Sequence, residues 1–257
     1  MYTNAVIYDI EATPGPESGQ SRVHTICLVP IVIDGQARTV SVRKGVVLCI
    51  KDVIKRDEVN LKTDVKNKLA QTTIDVAKYN LNIKYMNFFD AVVFMNKFVI
   101  ENGGGMLIGH NILGDLSFMA STQEFVGGKR IIKKKIKEYP DSGMYDINWK
   151  NIIKICSMSL FANRCPKMNT EFKKFVLAND IQLTSGGYIP LKLNTYAQFV
   201  YGDPTYRQLH SAVQDTFDLI NVLKSAVYYD GGHIIDGYDY TSKPDWMRGS
   251  GSSNEYC

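Results

Sequence analysis

The feature that most narrows the choice of fold is a short run near the start, "NAVIYDIEATPG" at residues 4–15. An unbroken apolar stretch leads into Asp9, one more apolar residue and then Glu11, and a Pro-Gly break follows. β-Branched and aromatic residues bounded by such a break read as a buried strand. Strand side chains alternate with a period of two, so Asp9 and Glu11 point the same way. Two like charges on one face of a buried strand raise each other's energy unless a positive charge sits between them. The first strand therefore ends at a place that must gather positive charge.

Two further β-rich runs follow, residues 24–34 and 37–50, with "DGQ" at 34–36 as the turn of a hairpin. Pro30 within the second run marks an edge strand or a bulge. Residues 51–82 are polar, rich in Lys and Asp, and read as helix plus loop with a solvated face. From residue 87 the apolar positions Phe88, Val92, Met95 and Val99 have helical spacing, and Gly103–Gly105 ends the helix. A short strand at 106–111, a helix through residues 113–125, a strand at 152–158, and helices at 191–202 and 211–229 complete the pattern. Strands followed by alternating strands and helices predict an α/β domain, a central mixed five-stranded sheet flanked by helices. The domain is expected to span residues 1–229, with 230–257, rich in Gly, Ser and Asp, as a poorly ordered extension.

Composition enters mainly by exclusion. With 257 residues, 45% hydrophobic and 22% charged, the chain suits one large soluble domain. The net charge of +4 permits a polyanionic partner without requiring one. Five cysteines lack any CxxC pair and none is spaced with a histidine as a zinc site would be, so reduced intracellular thiols are expected. No run of 18 apolar residues exists to span a membrane, and the N-terminus lacks the basic region of a signal peptide.

Two more segments carry acids in apolar surroundings. Asp115 follows a buried strand in "IGHNILGDLSFM", and Asp215 opens the last long helix in "HSAVQDTFDLI", five residues after His210. Helical positions five apart face about 140° away from each other. His210 and Asp215 can converge only if His210 lies in the loop before the helix, with Ser211 as N-cap. Four carboxylates around one point form the oxygen-rich setting that hard divalent ions such as Mg²⁺ or Mn²⁺ select. Two such ions roughly 3.5–4 Å apart are the clamp of phosphodiester hydrolysis, and a histidine at the rim can take the proton of the attacking water.

"YDIEATPG", "IGHNILGDLSFM" and "LHSAVQDTFDLINVL" resemble, in order, the three motifs of the DEDDh (DnaQ-like) 3′→5′ exonucleases, which have a ribonuclease H-like fold. Asp9, Glu11, Ala12 and Thr13 match the first motif, His110, Asn111 and Asp115 the second, His210 and Asp215 the third. Ser211 stands where the tyrosine subtype would have Tyr, so the histidine subtype fits better. "ICSMSLF" (155–161) resembles the family's strand between the second and third motifs, and 191–202 its helix before the histidine. The resemblance covers about residues 4–228.

The resemblance implies a phosphodiester hydrolase that releases nucleoside 5′-monophosphates from a DNA or RNA 3′ end with two Mg²⁺ or Mn²⁺ ions. Asp9 would bridge both metals. Glu11 and Asp215 would hold the ion that carries the nucleophilic water, Asp115 the second ion largely through water, and His210 would be the general base. Ala12, Thr13, His110 and Asn111 would lie near the terminal nucleotide. The basic run Lys129, Arg130, Lys133, Lys134, Lys135 and Lys137 reads as a phosphate-contacting patch or, equally, as a solvated helix face. Phe118, Tyr188 and Tyr206 can stack on bases, although the helical spacing of Phe118 favours the core. A homodimer or a polymerase-associated partner is compatible with the family. Rival readings are a nucleic-acid-binding module on an exonuclease-like fold and an internally cutting nuclease of the same superfold.

Overall fold

The structure, a computed structural model, describes residues 2–14, 21–57, 63–127 and 152–238. Strands β1 (Tyr2–Pro14), β2 (Ser21–Asp34), β3 (Thr39–Val42), β4 (Val46–Ile50), β5 (Asn82–Met86), β6 (Met106–Gly109) and β7 (Ile153–Cys156) form one mixed sheet. Its order is β5-β4-β2-β1-β6-β7, with β3 also on β2. Strand β2 runs antiparallel to β1, β3 and β4, whereas β6 and β7 lie parallel alongside β1 and β5 lies parallel to β4. Helices α1 (Lys51–Asp57), α2 (Thr63–Lys78), α3 (Phe88–Gly103), α4 (Ile112–Gly127), α5 (Ser157–Arg164), α6 (Pro166–Ala178), α7 (Leu193–Tyr201) and α8 (Ala212–Asp230) cover it. No helix among the described residues is long and apolar enough to cross a membrane.

The period of two splits the strands between two cores. Ala5 and Ile7 of β1 join Cys27, Val29 and Ile31 of β2 beneath α5 to α8. Val6, Tyr8 and Ile10 join Ile26, Leu28 and Leu48 beneath α3 and α4. Asp9 and Glu11 continue the row of Ala5 and Ile7, so they emerge on the α8 side of the sheet.

The α/β class and the mixed helix-covered sheet agree with the expectation, but among the described residues the sheet has seven strands where five were expected. The third β-rich run is two strands. Gly45 separates them because it packs against Leu28 and Val29 of β2, where a Cβ would come within 2.5 Å of Leu28 O. Strand β5 lies on the sheet's edge with a mostly exposed burial pattern, so no alternation marked it in the polar stretch. Pro30 occupies an inner strand rather than an edge. It falls between the β2 residues paired with β4 and those paired with β3, and its carbonyl accepts from Arg43 N at 2.8 Å. A strand residue's N and C=O point to the same side, so the donor that proline lacks faces this break in pairing.

Two other expectations change. Of residues 155–161, which resemble a strand in sequence, only Ile155 and Cys156 belong to β7, and the chain from Ser157 to Arg164 forms α5. Helix α6 begins with Pro166 at its first turn, a position that tolerates a missing N–H. The ordered chain also runs beyond residue 229: Gly232–Ile235 make a 3-10 turn, and Ile234, Ile235 and Tyr238 are buried. Residues 239–257 of the expected extension lie outside the described residues, as do Cys257 and the basic run at 129–137. The other four cysteines are free and buried, and burial pushes the Cys27 thiol up to about 12.

Candidate metal centre

The centre forms where β6 leaves the sheet. Strand β6 pairs with β1 only at Val6–Leu107 and Ile7–Ile108, and the chain then turns into α4. Gly109 ends the strand directly against Tyr8, where an added Cβ would come within 2.5 Å of Tyr8 Cε1. Asn111 makes the turn with a left-handed φ of 60° and its carbonyl accepts from Gly114 N at 2.9 Å. Asp115 then stands in the first turn of α4. On the other side of β1 a bulge falls between Glu11 and Ala12: Glu11 pairs with Thr25 and Ala12 with Val23, leaving His24 as the extra residue.

Helix α8 brings the third segment. Ser211 caps it, accepting from Gln214 N at 3.1 Å, and Asp215 lies in its first turn. His210 is in the preceding loop, as convergence requires, exposed and with a left-handed φ of 51°. Interactions up to Gln208 fix that loop. Gln198 Nε2 donates to the carbonyls of Pro204 and Tyr206 at 2.9 and 3.1 Å, and Gln208 N donates to Asn194 Oδ1 at 3.0 Å.

One carboxylate oxygen from each of Asp9, Glu11 and Asp215 lies within 4.8 Å of the others, an arrangement that could hold a metal ion. Asp115 stands close enough to raise the pKa of Asp9 but is not one of those three. Burial, then repulsion from Asp215, Asp115 and Glu11, holds the Asp9 carboxyl well above its ordinary range. Burial and then Glu11, Asp218 and Asp75 push Asp215 up to about 8, against the pull of Lys68. Burial pushes Asp115 up to about 7, with further repulsion from Cys156 and Glu11. Tyr8 sits beside Asp115, but neither Tyr8 Oη nor Asp115 Oδ2 completes a hydrogen bond of good geometry. Asp215 Oδ1 and Asn111 Oδ1 are likewise buried without donors. Buried oxygens are normally satisfied, so an oxygen cluster short of donors is the donor set a hard cation fits.

The remaining predicted site residues divide. His110 Nδ1 lies 2.9 Å from Ser157 Oγ, and burial pushes the ring down to about 4, opposed by its bond to the Leu191 backbone. His110 is thus a neutral ring at the end of β6. Thr13 is half-buried, its hydroxyl donating to Arg22 O at 3.4 Å, and Ala12 beside it is also half-buried. Lys129, Arg130 and Lys133 lie outside the described residues. Phe118 is exposed rather than core, because it projects from the outer side of α4. Tyr188 is exposed, whereas Tyr206 donates to Asp218 at 2.8 Å.

Two residues were missed. Lys68 of α2 reaches Glu11 Oε2 at 2.8 Å, and Asp75 of the same helix accepts from Ser211 Oγ at 2.6 Å. Both lie in the polar segment read as solvated. The i to i+7 spacing, which puts them on one helical stripe, was the only available signal. The chain matches no protein-family model and no curated protein sequence.

Proposed function

We propose that the chain is a divalent-metal-dependent 3′→5′ exonuclease of the DEDDh type on a ribonuclease H-like fold, acting on a DNA or RNA end. The observation that carries this reading is the meeting of Asp9, Glu11 and Asp215, from elements about 200 residues apart in sequence, with oxygens within 4.8 Å and Asp115 adjacent. A structural cluster of acids would be expected to gather donors. This one leaves a buried oxygen of Asp215 with no donor, although Lys68 donates to Glu11 and Tyr8 lies beside Asp115.

Asp9, Glu11 and Asp215 would hold the ions, with Asp115 completing the set. Bound Mg²⁺ or Mn²⁺ would supply the charge that activates the attacking water and stabilises the leaving 3′ oxygen. His210, exposed in the loop next to the α8 cap, would take the water's proton, since a base must reach both the solvent and the reacting phosphate. His110 cannot share that role at neutral pH, because a ring pushed down to about 4 is too weak a base. It serves instead as a neutral wall of the nucleotide pocket, fixed by Ser157.

The test is hydrolysis of 5′-labelled single- and double-stranded DNA and RNA in Mn²⁺. Expected are products shortened from the 3′ end, released mononucleotides, and no reaction in EDTA. Intact substrate in Mn²⁺ overturns the reading, and cleavage of circular single-stranded DNA, which has no 3′ end, would assign an internally cutting nuclease instead.

A further inference from the structure

The acid centre is not without a cation. Lys68 Nζ lies 2.8 Å from Glu11 Oε2, and both side chains are largely shielded from water, at 25% and 10% exposure. Glu11 places a carboxylate oxygen within 4.8 Å of oxygens of Asp9 and Asp215, so the ammonium paired with Glu11 stands beside the cluster.

Lys68 is held there by more than its own ion pair. Seven residues along α2, close to two turns and so on the same stripe, Asp75 accepts Ser211 Oγ at 2.6 Å, at the N-cap of α8. Gln71 Nε2 donates to Asp75 Oδ1 at 2.9 Å. Four residues further on, Tyr79 stacks on Phe217 of α8 with ring centroids 3.8 Å apart and donates to Gln214 Oε1 at 3.2 Å. The C-terminal half of α2 is thus keyed to the first turns of the helix that carries Asp215. That docking aims the lysine of the N-terminal half at the acids. A surface lysine that met Glu11 by chance would need no such anchor.

We propose that Lys68 is the resident counter-cation of the acid centre, holding the place among Glu11, Asp9 and Asp215 that a divalent ion takes and withdrawing when the ion enters. The inference rests on the metal-dependent reading above. Lysine is suited to the task, because its charge is a compact point on a flexible stem that can leave without moving the helix. In the metal-free protein it offsets repulsion among the acids. Its presence makes metal binding an exchange of one cation for another, so the site fills only where free divalent ion is abundant.

The experiment is calorimetric titration of Mn²⁺ into the metal-free full chain and its K68M and K68R variants. Removing a unit charge a few ångströms from the ion should tighten Mn²⁺ binding by about tenfold or more in K68M, given the strength of charge interactions in a shielded site. K68R, which keeps the charge, should stay within about threefold of the natural chain. A merely structural lysine predicts weaker or unchanged binding when it is lost, and either result in K68M overturns the proposal, as does equal tightening in K68R. Should K68M not fold, the natural protein still decides. Amine-reactive labelling of Lys68, read by mass spectrometry against the exposed Lys97 and Lys174, should quicken when Mn²⁺ replaces EDTA, and an unchanged or slower rate overturns it. Mn²⁺ bound by neither the natural chain nor K68M would bring down the metal-dependent reading and this one together. Equal binding by both would remove only the role of Lys68.

Discussion

Asp215 and Asp218 lie three residues apart near the start of α8, both withdrawn from solvent, and their surroundings are opposite. Asp218 is saturated. It accepts from Tyr201 Oη at 2.8 Å, Tyr206 Oη at 2.8 Å, Gln214 Nε2 at 2.9 Å and Gln208 Nε2 at 3.3 Å. Tyr201 and Tyr206 have raised pKa values, from burial first and the adjacent carboxylate second, so both remain donors. Asp215 has a buried oxygen with no donor and faces other carboxylates instead. One helix therefore carries a carboxylate built for structure beside one left electrostatically unfinished. A carboxylate ringed by donors ties α7, α8 and the 203–208 loop together. A carboxylate short of donors stores a demand for positive charge.

Four measurements would break or sharpen this contrast. The largest effect is expected for D215N, which should lower nuclease turnover by at least about 10³-fold, more than loss of a single electrostatic stabiliser commonly costs. Its thermal midpoint in EDTA should be unchanged or higher, because the mutation removes repulsion. A variant that loses activity only because it unfolds would erase the distinction. H210A should slow hydrolysis by roughly 10²–10⁴-fold at neutral pH, as loss of a general base does, with Mn²⁺ affinity retained. An unaltered rate takes His210 out of the reaction.

D218N should behave in the reverse sense. Replacing a charged acceptor of several buried bonds should cost roughly 2–3 kcal/mol of stability, which for a chain of this size lowers the midpoint by roughly 4–12 °C. Mn²⁺ affinity should hold within about threefold, since Asp218 is not a proposed ligand. The smallest effect is a pH slope. Unfolded carboxyls titrate near about 4, whereas Asp115 and Asp215 are pushed up to about 7 and about 8 in the fold. The metal-free fold thus binds more protons than the unfolded chain, and stability falls as pH rises. His110, pushed down to about 4, acts in the opposite direction below its ordinary value of about 6.5. The window free of that opposition is pH 6.5 to 8. There the midpoint in EDTA should decline, and saturating Mn²⁺ should reduce the decline. A flat midpoint in EDTA would mean that the acids are better satisfied than their surroundings suggest.

Elements governed by local chemistry were legible in the sequence. The Asp34–Gly35 hairpin, the stops of α3 and α7 at left-handed Gly104 and Gly202, and the Ser211 cap each follow from one or two residues. Features set by a distant partner were not. The break between β3 and β4 depends on how closely Gly45 approaches β2, and β5 on an available edge of β4. The acids of the centre could be read because they stand out in apolar runs. Lys68 and Asp75 could not, because a lysine and an aspartate in a polar helix look solvated until another helix covers them. Asp218 is likewise recognisable only through Tyr201, Tyr206 and Gln208, none of which neighbours it in sequence.

Gly109 allows the ring of Tyr8 to occupy the space that a methyl group would fill beside the end of β6. Positions 8 and 109 therefore share one fixed volume, divided as a large aromatic and a bare hydrogen. Bulk added at 109 has to be surrendered at 8, and any protein that keeps this floor beneath its acids with a larger residue after the strand should carry a smaller one there.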